Sequence, residues 1–196
     1  TAAVMMMSLA ACGSSDKEGG SDGGSSSGGS INVISREEGS GTRGAFVELF
    51  GVEEEVNGEK VDNTTTDATV TNNTSVMLST VAQDPNAIGY VSLGSLSDDV
   101  KAVKIDGAEA TAENIESGTY KISRPFNVVT KDGLSETAQD FLNFIMSSQG
   151  QEVVADEGYI PVETSTEYSA SGLSGKVTVS GSSSVSPVME KLSEAY

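Results

Sequence analysis

Two segments of this chain share one construction, and this repetition constrains the fold more than any other feature of the sequence. In each segment, a short apolar stretch that favours a β-strand is followed by a loop of glycine and hydroxyl residues and then by a helical pattern. The strands are predicted over residues 31–35 and 176–180, and the helices over residues 42–50 and 186–196. Such alternation of strands and helices favours an α/β fold with mainly parallel strands.

The region between these two segments continues the same alternation. Apolar stretches predict further strands over residues 87–91, 100–105 and 123–130. Residues 163–174 are polar and predict a linker. Helical spacing and hydroxyl caps predict four more helices, over residues 74–83 with Thr74 and Ser75 as the cap, 111–117 with Thr111 as the cap, 135–147, and about 150–156. The run Asn73-Thr74-Ser75 is interpreted as a helix cap and not as a set of ligands.

The sequence before residue 31 has a different character. Residues 1–11 are uncharged, mostly apolar and too short to cross a bilayer as a helix, which is typical of the apolar part of a secretory signal. Leu9-Ala10-Ala11-Cys12 then resembles the bacterial lipobox, so we expect residues 1–12 to end in a cysteine that is diacylated. A stray cysteine after an ordinary cleavage site is the alternative. Residues 13–30 predict a flexible tether of about 23 Å, with an artificial linker as the alternative.

Charge and composition exclude several classes of function. The formal net charge of −18 repels nucleic acid and anionic membrane surfaces, so we expect no nucleic-acid partner and membrane contact through a lipid anchor only. The chain has no histidine, which excludes Ser-His or Cys-His nucleophiles and histidine-based zinc sites within it. Its single cysteine, Cys12, excludes an intrachain disulfide. We expect no metal and no cofactor.

The two loops of glycine and hydroxyl residues have the chemistry of an anion site. The first amides of a helix have no partner within the helix, and the helix dipole favours a negative charge there. Arg36, at the end of the first predicted strand, adds a guanidinium, and Glu38 lies close enough to hold it. Two such loops that close on one anion can reach about −8 kcal/mol, the free energy of micromolar binding. A capped glycine–serine turn is the alternative for either loop alone.

Four motifs occur together in the sequence. They are SREEGSGTR at residues 35–43, AIGYV at 87–91, RPF at 124–126 with a helix pair that ends in SSQGQ at 147–151, and GSSSVSP at 181–187. Together, over about residues 31–196, they resemble the phosphate-binding proteins of the high-affinity phosphate ABC transporter. The resemblance implies a two-lobe periplasmic-binding-protein-like fold of type II.

The resemblance also implies phosphate contacts from both lobes. One lobe, residues 31–122, would carry the SREEGSGTR loop. Residues 123–196, which include the linker 163–174, would supply an incomplete part of the other lobe. Glu38 stands where the family has an aspartate that pairs with the arginine. The Arg43 side chain is expected to leave the loop in a different direction, so Arg43→Ala is expected to be nearly neutral for phosphate binding. The implied contacts are Arg36, Ser40, Gly41 and Thr42 from the first lobe and Ser183 and Ser184 from the second.

The order of the motifs departs from that of the family, in which the GSSSV loop opens the mature protein. Here this loop comes last, so we expect a circular permutation joined through residues 163–174, with a tandem fusion of two binding proteins as the alternative. The chain starts at Thr1 within an apolar stretch and ends at Tyr196 within a helical pattern, so we expect a fragment. The family's proton-accepting aspartate, which discriminates phosphate from sulfate, falls outside it, and the selectivity stays open.

The resemblance implies capture of inorganic phosphate at the outer face of the cytoplasmic membrane and its delivery to ABC permease subunits. A lipid-anchored monomer would do this without bond chemistry. One alternative is a binder of another oxyanion, such as sulfate or molybdate. Others are a phosphate-ester hydrolase with Ser40 or Ser183 as nucleophile, and a structural or adhesive surface lipoprotein. The lack of a histidine and of a Walker lysine argues against the hydrolase.

Replacement of the lipobox cysteine tests the predicted anchor. In a bacterial host, the protein is expected to partition into detergent with the membrane. Cys12→Ala is expected to release it or leave it unprocessed, because the cysteine carries the acyl chains that hold it in the bilayer. Metabolic labelling with a radioactive fatty acid and detergent partitioning measure this. Normal lipid labelling of the Cys12→Ala protein would contradict the assignment.

Overall fold

A computed structural model of the protein describes residues 29–196. The predicted signal, Cys12 and residues 13–28 of the predicted tether lie outside the described residues. None of the helices in residues 29–196 has the length and apolar character that a membrane span requires. The strands are β1 (Asn32–Arg36), β2 (Glu53–Val56), β3 (Glu59–Asp62), β4 (Thr69–Thr71) and β5 (Ala87–Ile88). The α-helices are α1 (Gly41–Leu49), α2 (Thr74–Gln83), α3 (Ala112–Glu116), α4 (Glu136–Ile145), α5 (Ser148–Asp156) and α6 (Ser186–Ala195).

Strand β1 is the centre of a three-stranded sheet in the order β4-β1-β5, and both of its neighbours are parallel to it. Ile34 lies opposite Thr69 of β4, and Asn32 lies opposite Ala87 of β5. The last three residues of β1 are buried. Because parallel strands end at the same edge of a sheet, the chain leaves β1 and β4 at one edge, and α1 and α2 both begin there. The predicted α/β class with parallel strands is confirmed.

The start of α2 differs from the prediction in a way that matters for the site. Its cap is Asn73, whose side-chain oxygen accepts a hydrogen bond from the Val76 amide at 2.8 Å. The sequence predicted a cap within Asn73-Thr74-Ser75, at Thr74 and Ser75 in particular. Asparagine caps a helix at least as well as threonine does, because its short side chain reaches the same amide. Thr74 is therefore the first helical residue, and its side chain is buried at the sheet edge.

Strands β2 and β3 form an antiparallel hairpin that was not predicted. Asn57 and Gly58 connect them, and both have positive φ values, 55° and 85°. This conformation is that of a two-residue hairpin turn, for which Asn-Gly is the strongest short-range sequence signal. The signal was present, but the flanking residues are mostly charged and lack the apolar alternation of a half-buried strand.

The second half of the described chain is built on a hydrophobic core between helices. The helices predicted over residues 111–117, 135–147, 150–156 and 186–196 are all present as α3 to α6, and Thr111 is the cap of α3 as predicted. Amphipathic α4 places its apolar face against α5 and α6. The buried members of this core are Phe141, Phe144, Ile145, Tyr159, Val188 and Leu192.

Several predicted strands are wrong in the structure. Residues 123–130 and 176–180 form no strand, residues 100–105 contribute only an isolated bridge between Ile105 and Ala108, and the predicted strand 87–91 is reduced to β5. A strand requires hydrogen bonds from a neighbour, and an apolar run alone does not supply them. The unpaired stretches leave apolar side chains exposed, with Val103 at 62% and Val129 at 89%.

The predicted linker, residues 163–174, has no helix or strand, and it packs against α4 and α5. The Ser148 amide donates to the Thr166 carbonyl at 2.8 Å, and the Tyr168 amide donates to Gln149 Oε1 at 2.9 Å. The ring of Tyr168 lies edge-on to Phe144 with 5.2 Å between centroids. These contacts hold the segment on the helical core.

Two helical glycines give a matched test of this packing. A Cβ atom on Gly150 would lie 2.1 Å from the Phe144 carbonyl oxygen, whereas a Cβ on Gly44 would meet nothing within 4 Å. Gly150→Ala is therefore expected to lower the free energy of unfolding by about 1–3 kcal/mol through overpacking. Gly44→Ala is expected to raise it by up to about 1 kcal/mol, because alanine is the better helix former. Urea unfolding measures both, and equal stability of the two variants would contradict the close approach of α5 to the end of α4.

Candidate functional site

Arg36 brings a buried positive charge to the sheet edge at which β1 ends. The residue is only 2% exposed. Its Nε and Nη2 donate to the two carboxylate oxygens of Glu37 at 2.9 and 3.0 Å. Its Nη1 donates to Thr74 Oγ1 at 3.4 Å, and Nη2 also donates to Ser183 Oγ at 3.1 Å. The guanidinium is thus held by a carboxylate on one side and faces hydroxyl groups on the other.

The partner of this guanidinium is Glu37, and the prediction that Glu38 holds it is wrong. Glu37 follows the strand directly and reaches the guanidinium with both oxygens, the geometry that arginine and carboxylate groups prefer. Glu38 lies in the turn before Gly39 and is exposed. The hydrogen bond from Arg36 lowers the pKa of the Glu37 carboxyl below its ordinary value of 4.5, although partial burial opposes this shift.

The first loop enters α1 through a capped helix start. Ser40 Oγ accepts a hydrogen bond from the Arg43 amide at 3.4 Å, and Thr42 in the first helical turn is buried. A Cβ atom on Gly41 would lie 3.5 Å from Nη2 of Arg124, so a second guanidinium flanks this loop. Arg124 is exposed, and its guanidinium lies 5.6 Å from the centroid of the Phe126 ring.

The second loop lies before α6 and meets the first loop through hydroxyl groups. Ser184 is fully buried, and its Oγ lies 2.5 Å from Thr42 Oγ1. Ser183 Oγ lies 3.3 Å from Thr74 Oγ1. The Tyr159 hydroxyl donates to the Ser184 carbonyl at 2.8 Å and so ties the loop to the hydrophobic core.

The structure therefore brings the two predicted loops together. Arg36 and Thr42 of the first loop lie within hydrogen-bonding distance of Ser183 and Ser184 of the second. Ser40 takes part as the cap of α1, and Gly41 follows it at the helix start. The starts of α1, α2 and α6 meet at this edge, and each supplies backbone amides and a helix dipole that favour a negative charge.

Thr74 is a site residue that the sequence reasoning missed, because it was assigned to a cap. Strand β4 was also missed, and it is the element that carries the chain to this edge. If residues 69–71 had been identified as a strand parallel to β1, Thr74 would have been placed beside Arg36 at the shared edge. The strand is only three residues long, which is too short for a periodic signal.

The assembled site has groups that can bind an oxyanion. One buried guanidinium, four hydroxyl groups and three helix starts offer many hydrogen-bond donors around one point. Within residues 29–196, no group of histidine, cysteine, aspartate and glutamate side chains is arranged to hold a metal ion. The guanidinium and the oriented backbone dipoles both favour a negative charge at this site.

Comparison with known proteins agrees with this chemistry. Residues 15–149 match the model of the PBP superfamily domain. The chain is 61% identical over 170 residues to phosphate-binding protein PstS 2 of Streptococcus agalactiae serotype V, an alignment that covers 86% of this chain and 58% of the relative. It is 52% identical over 169 residues to phosphate-binding protein PstS 2 of Streptococcus pneumoniae serotype 4, with the same coverage. The chain thus spans 58% of the length of these curated relatives.

Solved structures give the same result. The phosphate-binding protein of a phosphate ABC transporter from Streptococcus pneumoniae TIGR4 superposes with a TM-score of 0.69 at 51% identity, over 86% of this chain and 66% of that one. A putative phosphate ABC transporter substrate-binding protein with bound phosphate from Clostridium perfringens superposes with a TM-score of 0.61 at 42% identity, over 68% of this chain and 52% of that one.

The lowered pKa of Glu37 gives this pair a defined pH dependence. A carboxyl whose folded-state pKa lies below its ordinary value stabilises the fold above that ordinary value, 4.5, and loses this contribution as the pH falls through the lowered pKa. Wild type is therefore expected to exceed Glu37→Gln in free energy of unfolding at neutral pH and to lose that advantage in acid.

The expected difference is less than about 1 kcal/mol, because the Glu37 side chain is 36% exposed and solvent screens the pair. Urea unfolding as a function of pH measures it. Glu38→Gln, which removes an exposed carboxylate from the same turn, is the matched control. If both variants gave the same pH profile, Glu37 would not be the partner of Arg36.

Proposed function

The chain belongs to the PBP superfamily, and we propose that this protein binds inorganic phosphate outside the cytoplasmic membrane and delivers it to the permease subunits of an ABC-type importer. The observation that carries the proposal is the buried guanidinium of Arg36, which faces hydroxyl groups from two loops far apart in the sequence. A buried guanidinium that has a carboxylate on one side and hydroxyl groups on the other is suited to an anionic ligand on the hydroxyl side.

Phosphate fits this arrangement better than a planar or monovalent anion. The oxygens of phosphate project tetrahedrally, and each accepts several hydrogen bonds. The site matches this shape because its guanidinium, hydroxyls and helix-start amides approach from several directions. The Clostridium perfringens neighbour is described with bound phosphate, which supports the same ligand for this chain. Sulfate and molybdate share the tetrahedral shape and are the alternatives that a titration must exclude.

The proposed phosphate ligands are those that the sequence analysis named, together with Thr74. Arg36 supplies charge, Thr42 and the two serines supply hydroxyls, and Ser40 and Gly41 supply the helix start. The hydroxyls of these residues bond to one another and to Arg36, and phosphate would replace these bonds. The full set is Arg36, Ser40, Gly41, Thr42, Thr74, Ser183 and Ser184.

We further propose that residues 31–122 and residues 123–196 belong to different lobes. The parallel sheet around β1 lies in the first range and the helical core around Phe144 lies in the second, which supports this division. The permuted order through residues 163–174, anchoring through Cys12 and a monomeric state are part of the same proposal. The sequence of the full-length protein and its mass in solution test them.

A transport role without bond chemistry is also proposed. A serine nucleophile needs a base that takes its proton. In the described part of the chain, the hydrogen bonds of the Ser40, Ser183 and Ser184 side chains lead to a backbone amide, a guanidinium and other hydroxyls. None leads to a carboxylate. Turnover of p-nitrophenyl phosphate by the purified full-length protein would therefore contradict the proposal.

Substitution of Arg36 tests the proposed site most directly. Arg36→Ala in the full-length protein is expected to weaken phosphate binding by about 2–5 kcal/mol, because it removes one partner of a buried charge pair. Arg36→Lys is expected to restore only part of this, since an ammonium group cannot reproduce the planar fork. Thr42→Val removes one hydroxyl and keeps the amide, so a smaller loss of about 1–3 kcal/mol is expected.

Isothermal titration calorimetry with phosphate, sulfate and molybdate measures these affinities at one fixed ionic strength. Lys60→Ala is the control, because Lys60 is an exposed cation in an ion pair with Glu53 on the hairpin. If Arg36→Ala bound phosphate as tightly as wild type does, or if sulfate bound more tightly than phosphate, the proposed function would be wrong.

A further inference from the structure

Side chains hold the backbone of Arg36 on the side of β1 that no longer pairs with β5, while β4 still pairs with it on the opposite side, where Arg36 lies opposite Thr71. On the β5 side of β1, the register ends at the pair Val33 and Ile88, three residues before Arg36. Strand β5 ends at Ile88, so it does not pair with Arg36 on this side of β1. A buried backbone amide needs a partner, and here a side chain provides it.

Tyr90 is the side chain that replaces the strand. Its hydroxyl accepts a hydrogen bond from the Arg36 amide at 3.0 Å and lies 2.9 Å from Ser35 Oγ. Its ring stacks on Phe46 of α1, with the planes 6° apart and the centroids 4.2 Å apart. The hydroxyl is thus fixed between β1 and α1. Tyr90 of the AIGYV motif therefore supplies the hydrogen-bond partner of the Arg36 amide.

Arg43 holds the carbonyl group of the same residue. Its Nη1 donates to the Arg36 carbonyl at 2.9 Å, and its Nε donates to Asp62 Oδ2 at 2.8 Å at the end of β3. Asp62 is held in turn by the amide and hydroxyl of Thr64, at 2.8 and 2.6 Å. From the sequence, Arg43 is expected to be nearly neutral for phosphate binding, yet its side chain contacts the backbone from which the Arg36 guanidinium extends.

We infer that Tyr90 and Arg43 form a backbone clamp on Arg36 and are positioning residues for anion binding. The inference rests on the proposed function, because it assigns the clamp a role in the site at which phosphate would bind. Fixing the amide and carbonyl of Arg36 fixes the direction of its Cα–Cβ bond. A bidentate contact tolerates small displacements poorly, so a loosened backbone weakens the ligand contact without removing any ligand group.

A double-mutant cycle with Arg36 separates positioning from general stability. Phosphate binding to the full-length protein is measured by calorimetry, or by ³¹P NMR where it is weak. Tyr90→Phe keeps the stacked ring and loses one hydroxyl, so a weakening of about 3–10-fold is expected. Arg43→Ala loses a charged donor, so about 10–100-fold is expected. In the Arg36→Ala background, each is expected to change the affinity by less than about twofold.

Matched controls come from the same chain. Tyr168→Phe removes a tyrosine hydroxyl bonded to Asp140, and Lys60→Ala removes a cation from the β2–β3 hairpin. Both are expected to bind phosphate as wild type does. Thermal unfolding of every variant checks the fold, and Tyr90→Phe alone decides the test if Arg43→Ala does not fold.

The outcomes distinguish this inference from the proposed function. If wild type does not bind phosphate, or Arg36→Ala binds it unchanged, the proposed function fails and the clamp fails with it. Suppose that wild type binds phosphate and Arg36→Ala weakens that binding. If Tyr90→Phe and Arg43→Ala then weaken binding equally in the wild-type and Arg36→Ala backgrounds, the two residues act on the fold in general and the inference is overturned. Unchanged affinity of both variants in the wild-type background overturns it as well.

Discussion

The buried guanidinium of Arg36 is the interaction on which the rest of the described structure depends. A charge withdrawn from water costs several kcal/mol unless it is paired and hydrogen-bonded. Glu37 neutralises it from one side, and Thr74 and Ser183 complete its hydrogen bonds from the other. Hydroxyl groups suit the second task because they both donate and accept. The same groups can satisfy the guanidinium and one another, and they can also turn toward an anion.

This requirement explains how the two halves of the chain meet. The parallel sheet places the ends of β1 and β4 side by side, so Arg36 and Thr74 approach each other through backbone geometry alone. The second loop arrives from the helical core, and the Tyr159 hydroxyl fixes it through the Ser184 carbonyl. Gly94 allows this, since a Cβ there would overlap the Tyr159 ring. Packing of apolar residues in the second half thus sets the position of polar groups in the site.

The sequence predicted well those elements that depend on residues close together in the chain. Helices with an apolar face, such as α4, and loops of small hydroxyl residues before a helix were found with nearly correct bounds. Residues 123–130 were predicted as a strand and are not one, because pairing depends on a neighbour that local sequence does not reveal. The choice between Glu37 and Glu38 was wrong for a related reason. It depends on the direction in which the chain leaves β1, and adjacent residues of one type carry no information about that direction.

The contact between Thr42 and Ser184 has a consequence for the order in which this protein assembles. The two residues are 142 positions apart, and closing a loop of that length costs about 4 kcal/mol of chain entropy. Helix caps and the Asn57-Gly58 turn can form as soon as their few residues are present, but this contact waits for both halves. A growing chain therefore carries its first loop, arginine included, while the more than one hundred residues between Thr42 and Ser184 are synthesised. During that interval the Arg36 charge must remain hydrated, so the site is among the last features of the described chain to form.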